Sequence, residues 1–142
     1  NMADYKTLLL ENSVLQTATC SNSKDAIRLD ADATDGNQKM YAYYYWIFPN
    51  LMINFYAWGI SINIIEPLSI NKTRIKYLTY TLPHINIHAS DGADVSTVEF
   101  EDQEVVQSVQ KGIKSRYYKM GRYSVKYETG VHHFHKLISG LM

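Results

Sequence analysis

An α+β layer is what this sequence predicts, an antiparallel sheet followed by helices. Three observations carry it: an aromatic, β-branched run over Tyr41–Leu68, period-two alternation within that run, and a change to helical period after Ser96. In Leu51–Tyr56, Leu51, Ile53 and Phe55 alternate with Met52, Asn54 and Tyr56; in Ile60–Glu66, Ile60, Ile62 and Ile64 alternate with Ser61, Asn63 and Ile65. Period two sends successive side chains to opposite faces of a pleated strand. One face is aliphatic. The other sets Asn54 and Asn63 among aromatics, where amides must find partners or line a pocket.

The elements follow in chain order. Asp4–Glu11 and Leu15–Thr19 read as short strands, and Ser21–Gln38 as a polar connection with at most a fragment of strand near Ala26–Leu29. Three antiparallel strands come next, punctuated by Pro49-Asn50 and Trp58-Gly59 and ended by Pro67. Thr73–Leu82 adds a strand with Arg74 and Lys76 facing away from Ile75 and Tyr77, a meander of at least four strands. Pro83–Val95 reads as loop. A helix then starts at the Ser96–Glu99 capping box or nearer Glu101, with Val106, Val109 and Ile113 at helical spacing. Tyr117–Glu128 is basic and irregular, and Val131–Leu141 is a second amphipathic helix with Val131, Phe134, Ile138 and Leu141 inward.

Composition excludes several classes. With 142 residues the chain is long enough to bury a core, and 14 basic against 14 acidic residues leave no global field for nucleic acid or an anionic membrane. The one cysteine, Cys20, permits no internal disulfide, suits a reducing, cytoplasmic setting, and cannot hold an iron–sulfur cluster alone. No apolar run reaches membrane-spanning length and no signal peptide is visible. Nucleophile elbow, P-loop and dinucleotide fingerprints are absent.

Few positions carry chemistry. Asp102 lies one turn before Val106, which places it on the inward stripe with Val109 and Ile113. An inward carboxylate needs a partner or a metal; the bland alternative is a solvated aspartate helped by the helix macrodipole. His84 and His88 are four apart and with Asp102 would make a two-histidine, one-carboxylate iron site inside this chain. Of His132, His133 and His135, only the first and last share a helix face, which favours packing or capping over metal. The basic tract Lys111–Lys126, interleaved with Tyr117, Tyr118, Tyr123 and Tyr127, reads as a solvated or subunit-contacting surface rather than a nucleic-acid patch.

Two blocks, YYWIFPNLMINFYAWGISINIIEPL at Tyr44–Leu68 and EDQEVVQSVQKGIKSR at Glu101–Arg116 with GRYS at Gly121 and GVHHFHKLI at Gly130, resemble the catalytic domain of Rieske-type non-haem iron oxygenase α subunits, of the ring-hydroxylating and choline-monooxygenase-like branches. The resemblance covers roughly the last hundred residues, in the family's order and spacing. Ala57 stands where the family often has proline, and Val125-Lys126 replaces a stretch that often contains one.

That resemblance implies a helix-grip (Bet v 1/START-like) fold, an antiparallel sheet against a long C-terminal helix, with residues 1–142 as the C-terminal part of the catalytic domain and no Rieske domain. It implies mononuclear Fe(II) held by two histidines and one aspartate, the aspartate matching Asp102, and a Rieske [2Fe–2S] cluster. The histidines and the cluster ligands would lie upstream of this chain, so the chain alone would neither hold iron tightly nor turn over. Further expectations are O₂ activation to hydroxylate or demethylate a small organic substrate, with Asn54 and Asn63 on the pocket wall, an electron-donating reductase or ferredoxin, and a homotrimer. The alternatives are a non-enzymatic hydrophobic-ligand carrier on the same fold, for which Asp102 would face solvent, and a self-contained iron enzyme using His84 and His88.

Overall fold

The computed structural model describes residues 5–20, 27, 39–83 and 95–142, without the side chains of Cys20, Lys39 and residues 95–100. Six strands, β1 (Tyr5–Leu10), β2 (Ser13–Cys20), β3 (Lys39–Ile47), β4 (Leu51–Tyr56), β5 (Gly59–Ser69) and β6 (Lys72–Thr81), precede two helices, α1 (Val95–Ile113) and α2 (Thr129–Ser139). The strands form one antiparallel sheet in chain order, so the predicted meander extends to all six. The polar connection contributes at least one tie: the Ile27 N–H donates to the Met40 carbonyl at 2.8 Å.

The chain divides into two compact units, Asn1–Leu82 with Tyr123–Met142, and Pro83–Arg122. In the first, the register fixes two faces. Rows such as Thr7–Gln16–Tyr44–Asn54–Ser61–Thr79 and Leu9–Val14–Trp46–Met52–Asn63–Tyr77 run across one face. Leu8–Leu15–Tyr45–Ile53–Ile62–Leu78 runs across the other. Directly opposed residues share a face because the pleat alternates strictly.

The short helix α2 covers part of the first face. Phe134 meets Trp46 edge to face with centroids 4.8 Å apart, and a Cβ added to Gly130 would lie 3.2 Å from Val14 Cγ1. Glycine lets the helix approach this closely. His133 Nε2 donates to the Leu10 carbonyl at 2.8 Å, tying α2 to the end of β1. The Ser124 N–H donates to the Glu128 carboxylate and the Glu128 N–H to the Ser124 carbonyl, closing the turn that starts the helix. We expect Phe134→Ala to cost about 3 kcal/mol in chemical denaturation, since it removes the ring contact that seats α2. A change under ~1 kcal/mol would mean the helix is held elsewhere.

Three expectations need correction, the first in the 11-residue α2. Its inward positions are His133, Phe134, Leu137 and Ile138, while Val131 and Leu141 are exposed, because Phe134 rather than the ends of the helix faces Trp46. Pro67 does not end β5: the strand runs to Ser69 through a register shift between Pro67 and Ser69, a position where a missing N–H costs little. In α1, Asp102, Val106, Val109 and Ile113 are all exposed, and the half-covered positions are Gln103 and Gln110.

Charge is segregated along α1: Glu99, Glu101, Asp102 and Glu104 fall in its first half and Lys111 in its last turn. Lys111 complements the macrodipole, whereas the first turn holds no acidic residue.

Candidate functional site

The face shared by Asn54 and Asn63 sets amides, hydroxyls and rings among apolar side chains. Within the regular register the charged strand residues Lys6, Glu66, Arg74 and Lys76 all lie on the opposite face. There Glu66 accepts from Lys76 at 2.5 Å and from Arg74 at 2.6 Å. The hydrogen bonds from Lys76 and then Arg74 hold the Glu66 carboxyl below its ordinary value. The sign follows: this contribution is present above the unfolded carboxylate range and is lost as pH falls through the lower folded value. We expect Glu66→Gln to flatten the acid limb of the stability profile below about pH 4.5. An unchanged limb would show the trio to be fully screened.

On the uncharged face, Asn54 pairs in register with Tyr44 on one side and Ser61 on the other. Ser61 is 2% exposed, and its Oγ donates to Asn63 Oδ1 at 3.3 Å. Gln16 Nε2 donates to Thr7 Oγ1 at 3.4 Å. Asn54 is half-buried and has no side-chain hydrogen bond among the described residues.

Beside these amides lies a tyrosine cluster. Tyr44 stacks on Tyr5 at 6.4 Å and meets Tyr56 edge to face at 5.9 Å; Tyr41 meets Tyr56 at 6.4 Å, and Tyr56 stacks on Trp58 at 4.8 Å. Ala18 and Ala42, in the register row between Tyr5 and Tyr56, are 3% and 0% exposed. Small side chains there leave room for the rings to spread over them. Burial, with the phenols of Tyr56, Tyr5 and Tyr41 adding, pushes the Tyr44 hydroxyl above its ordinary value. The neutral phenol is therefore favoured in the fold. That stability is complete below the unfolded tyrosine value near ~10 and is lost as pH rises beyond it. Tyr44→Phe is expected to reduce the alkaline fall in melting temperature above about pH 10.

Sequence alternation sets Tyr56 beside Asn54 and Ser61 beside Asn63, but it missed Tyr44, Trp58 and the ring and hydroxyl contacts that join these residues. The signal for those is cross-strand register, which one strand's alternation does not contain. It missed too the pairing of the Tyr123 hydroxyl with His135 Nδ1 at 2.5 Å, with the His132 ring edge-on to Tyr123. His132, His133 and His135 all have packing or hydrogen-bonding partners here.

Asp102 belongs to the second compact unit, exposed on α1. The expectation that it is inward is not met within the described chain. His84 and His88 lie outside the described residues. Among the described residues no three His, Cys, Asp or Glu side chains come together as a metal site, and with one cysteine the chain lacks the thiolates of a Rieske cluster. Among the described residues the donors do not fit either iron group alone.

Comparison with known proteins decides the family. Residues 17–142 match the ring hydroxylating alpha subunit (catalytic domain) family. The chain belongs to that family. It is 31% identical to the chloroplastic choline monooxygenase of Amaranthus tricolor over 138 residues, covering 92% of this chain and 29% of the relative. The Arabidopsis thaliana choline monooxygenase is 29% identical over 97% of this chain and 32% of its own length. The chain thus spans about a third of these relatives. The quaternary ammonium Rieske monooxygenase CntA with an inhibitor superposes with a TM-score of 0.69 over 99% of this chain and 38% of CntA, at 20% identity. CntA with gamma-butyrobetaine gives 0.64 over 96% and 38%, at 19% identity. The six-stranded antiparallel sheet with its helices is therefore the fold of a Rieske oxygenase α-subunit catalytic portion. No helix among the described residues is long and apolar enough to cross a membrane.

Proposed function

We propose that this chain is the C-terminal catalytic-domain portion of a Rieske non-haem iron oxygenase that hydroxylates or demethylates a small quaternary amine with O₂, on a helix-grip sheet. The observation that carries the reading is the family match over residues 17–142. The uncharged tyrosine–amide face supports the substrate class. A trimethylammonium group has no hydrogen to donate, so ring faces such as those of Tyr44, Tyr56 and Trp58 attract it through their quadrupoles. The polar end of such a substrate can meet the Asn54 and Asn63 amides.

In this reading Asp102 supplies one anionic oxygen to mononuclear Fe(II), and the two histidines and the [2Fe–2S] ligands come from outside this chain. When bound, the iron supplies O₂ activation. The residues of this chain bind and orient: the tyrosine rings exclude water from the cationic head, and the amides fix the other end. The intact enzyme works as a homotrimer fed by a reductase or ferredoxin in a reducing, cytoplasm-like compartment, touching neither nucleic acid nor membrane. The 142-residue chain alone binds Fe(II) weakly.

The test uses the intact protein with its upstream chain, assayed for product from choline and from gamma-butyrobetaine. Asn54→Leu and Tyr56→Leu are each expected to raise KM about tenfold with iron content unchanged. No turnover of any quaternary amine by an iron-loaded protein would refute the substrate class. The second reading, a hydrophobic-ligand carrier, draws on the exposure of Asp102. It predicts tight fatty-acid or steroid binding by the 142-residue chain and no effect of Asp102→Ala.

A further inference from the structure

Lys111, Lys114, Arg116, Lys119 and Arg122 fall within twelve residues of the second compact unit, and no carboxylate lies between Glu104 and Glu128. Every residue from Lys111 to Arg122 is exposed. The helix ends at Ile113, the Ser115 N–H donates to the Gly112 carbonyl and the Tyr118 N–H to the Ser115 carbonyl, and the backbone then runs without regular structure. This turn sets Tyr117 and Met120 out at 77% and 75% exposure. Arg116 is held on its neighbour: its Nη2 donates to the Tyr117 hydroxyl at 2.8 Å, with its guanidinium 4.8 Å from the ring centroid.

Exposed Tyr, Met and Arg interleaved with lysine form a surface of a particular kind. The first three residue types are enriched at the buried centres of protein interfaces, and tyrosine and arginine dominate their energetics. Exposed surface lysines steer an oppositely charged partner and set its on-rate. A preformed Arg116–Tyr117 pair lowers the ordering cost of binding.

We propose that Lys111–Arg122 docks an acidic protein surface, Lys111, Lys119 and Arg122 steering it while Arg116, Tyr117 and Met120 seat it. This rests on the oxygenase reading only in naming the partner, since the acidic protein that such an enzyme must meet is its electron donor. A compact protein fits better than a polyanion. Beyond this tract the chain carries nine basic residues against 14 acidic ones, so a long nucleic acid leaving the tract would meet surplus negative charge.

The experiment titrates the 142-residue chain with a small acidic plant-type [2Fe–2S] ferredoxin at 25 to 300 mM salt. The contrasts are a single-stranded oligonucleotide, phosphatidylserine vesicles, and the chain alone in sedimentation. Expected is micromolar ferredoxin binding that weakens steeply with salt. Lys111→Gln, Lys119→Gln and Arg122→Gln together should reduce affinity about tenfold and flatten the salt slope. Tyr117→Ser with Met120→Ser should also cost about tenfold but leave the slope unchanged. Because these residues are exposed, Lys111 in the last turn of α1 and the others on the segment after it, the variants keep the folded chain, which circular dichroism checks. No ferredoxin binding at 25 mM salt overturns the proposal. So does tighter binding of the oligonucleotide or vesicles, or self-association that the glutamine variants abolish. Any of these leaves the product and iron measurements on the intact oxygenase unaffected, so the two readings fail separately.

Discussion

On the oxygenase reading proposed above, Asp102→Ala in the intact protein is expected to leave a folded protein whose iron content and product yield both fall at least about a hundredfold. A two-histidine, one-carboxylate site has three protein donors, and losing one removes both a bond and the negative charge that offsets Fe(II). Asp102→Asn keeps an oxygen but not the charge, so it should retain part of the iron and little of the turnover. Glu101→Gln and Glu104→Gln, exposed neighbours on the same helix, should change neither. The four variants separate a ligand from a surface carboxylate, because macrodipole or solubility effects would appear at all of these positions. If Asp102→Ala keeps full iron occupancy, the metal role assigned to it is wrong.

Gly59→Ala should be the most damaging single methyl in the sheet, costing roughly 3 kcal/mol or more. Two effects coincide. Gly59 opens β5 at φ 153°, which side-chain-bearing residues rarely adopt, and a Cβ there would lie 2.1 Å from the Tyr80 carbonyl oxygen and 3.0 Å from Thr81 Cα. Both contacts are backbone, so nothing flexible can yield; β6 must move from β5 or β5 must shift register. Either change disturbs the Ser61–Asn63 pair two and four residues on, and so reaches the candidate pocket wall. Equilibrium denaturation gives the magnitude. Gly112→Ala is the contrast: a Cβ there meets nothing within 4 Å, so on a helix it should be neutral or stabilising by about 1 kcal/mol. Equal effects at the two glycines would discount the close approach to Tyr80.

Local chemistry wrote the strands and their faces plainly. Alternation in Leu51–Tyr56 and Ile60–Glu66, with turn residues between, is enough to define β4 and β5 and to put Asn54 and Asn63 together, because the pleat has a fixed period. The helices were legible for the same reason, but their partners were not. The stripe Val106–Val109–Ile113 says that α1 is amphipathic; it cannot say what lies opposite, and among the described residues those valines are exposed. Asp102 shares that fate. Its inward position was inferred from the stripe, and its proposed role came from family resemblance, not from burial.

Sequence by itself determined the meander, the two-faced sheet and the family. All of these depend on neighbours in the chain or on residue type. Tertiary structure alone decided that Tyr5, Tyr44 and Tyr56 meet as one ring cluster, that Phe134 rather than Val131 seats α2, and that Gly59 lies against Tyr80. Each of these is a contact between strands or layers, fixed by register and by the closeness of backbones, and neither quantity exists until the chain has folded.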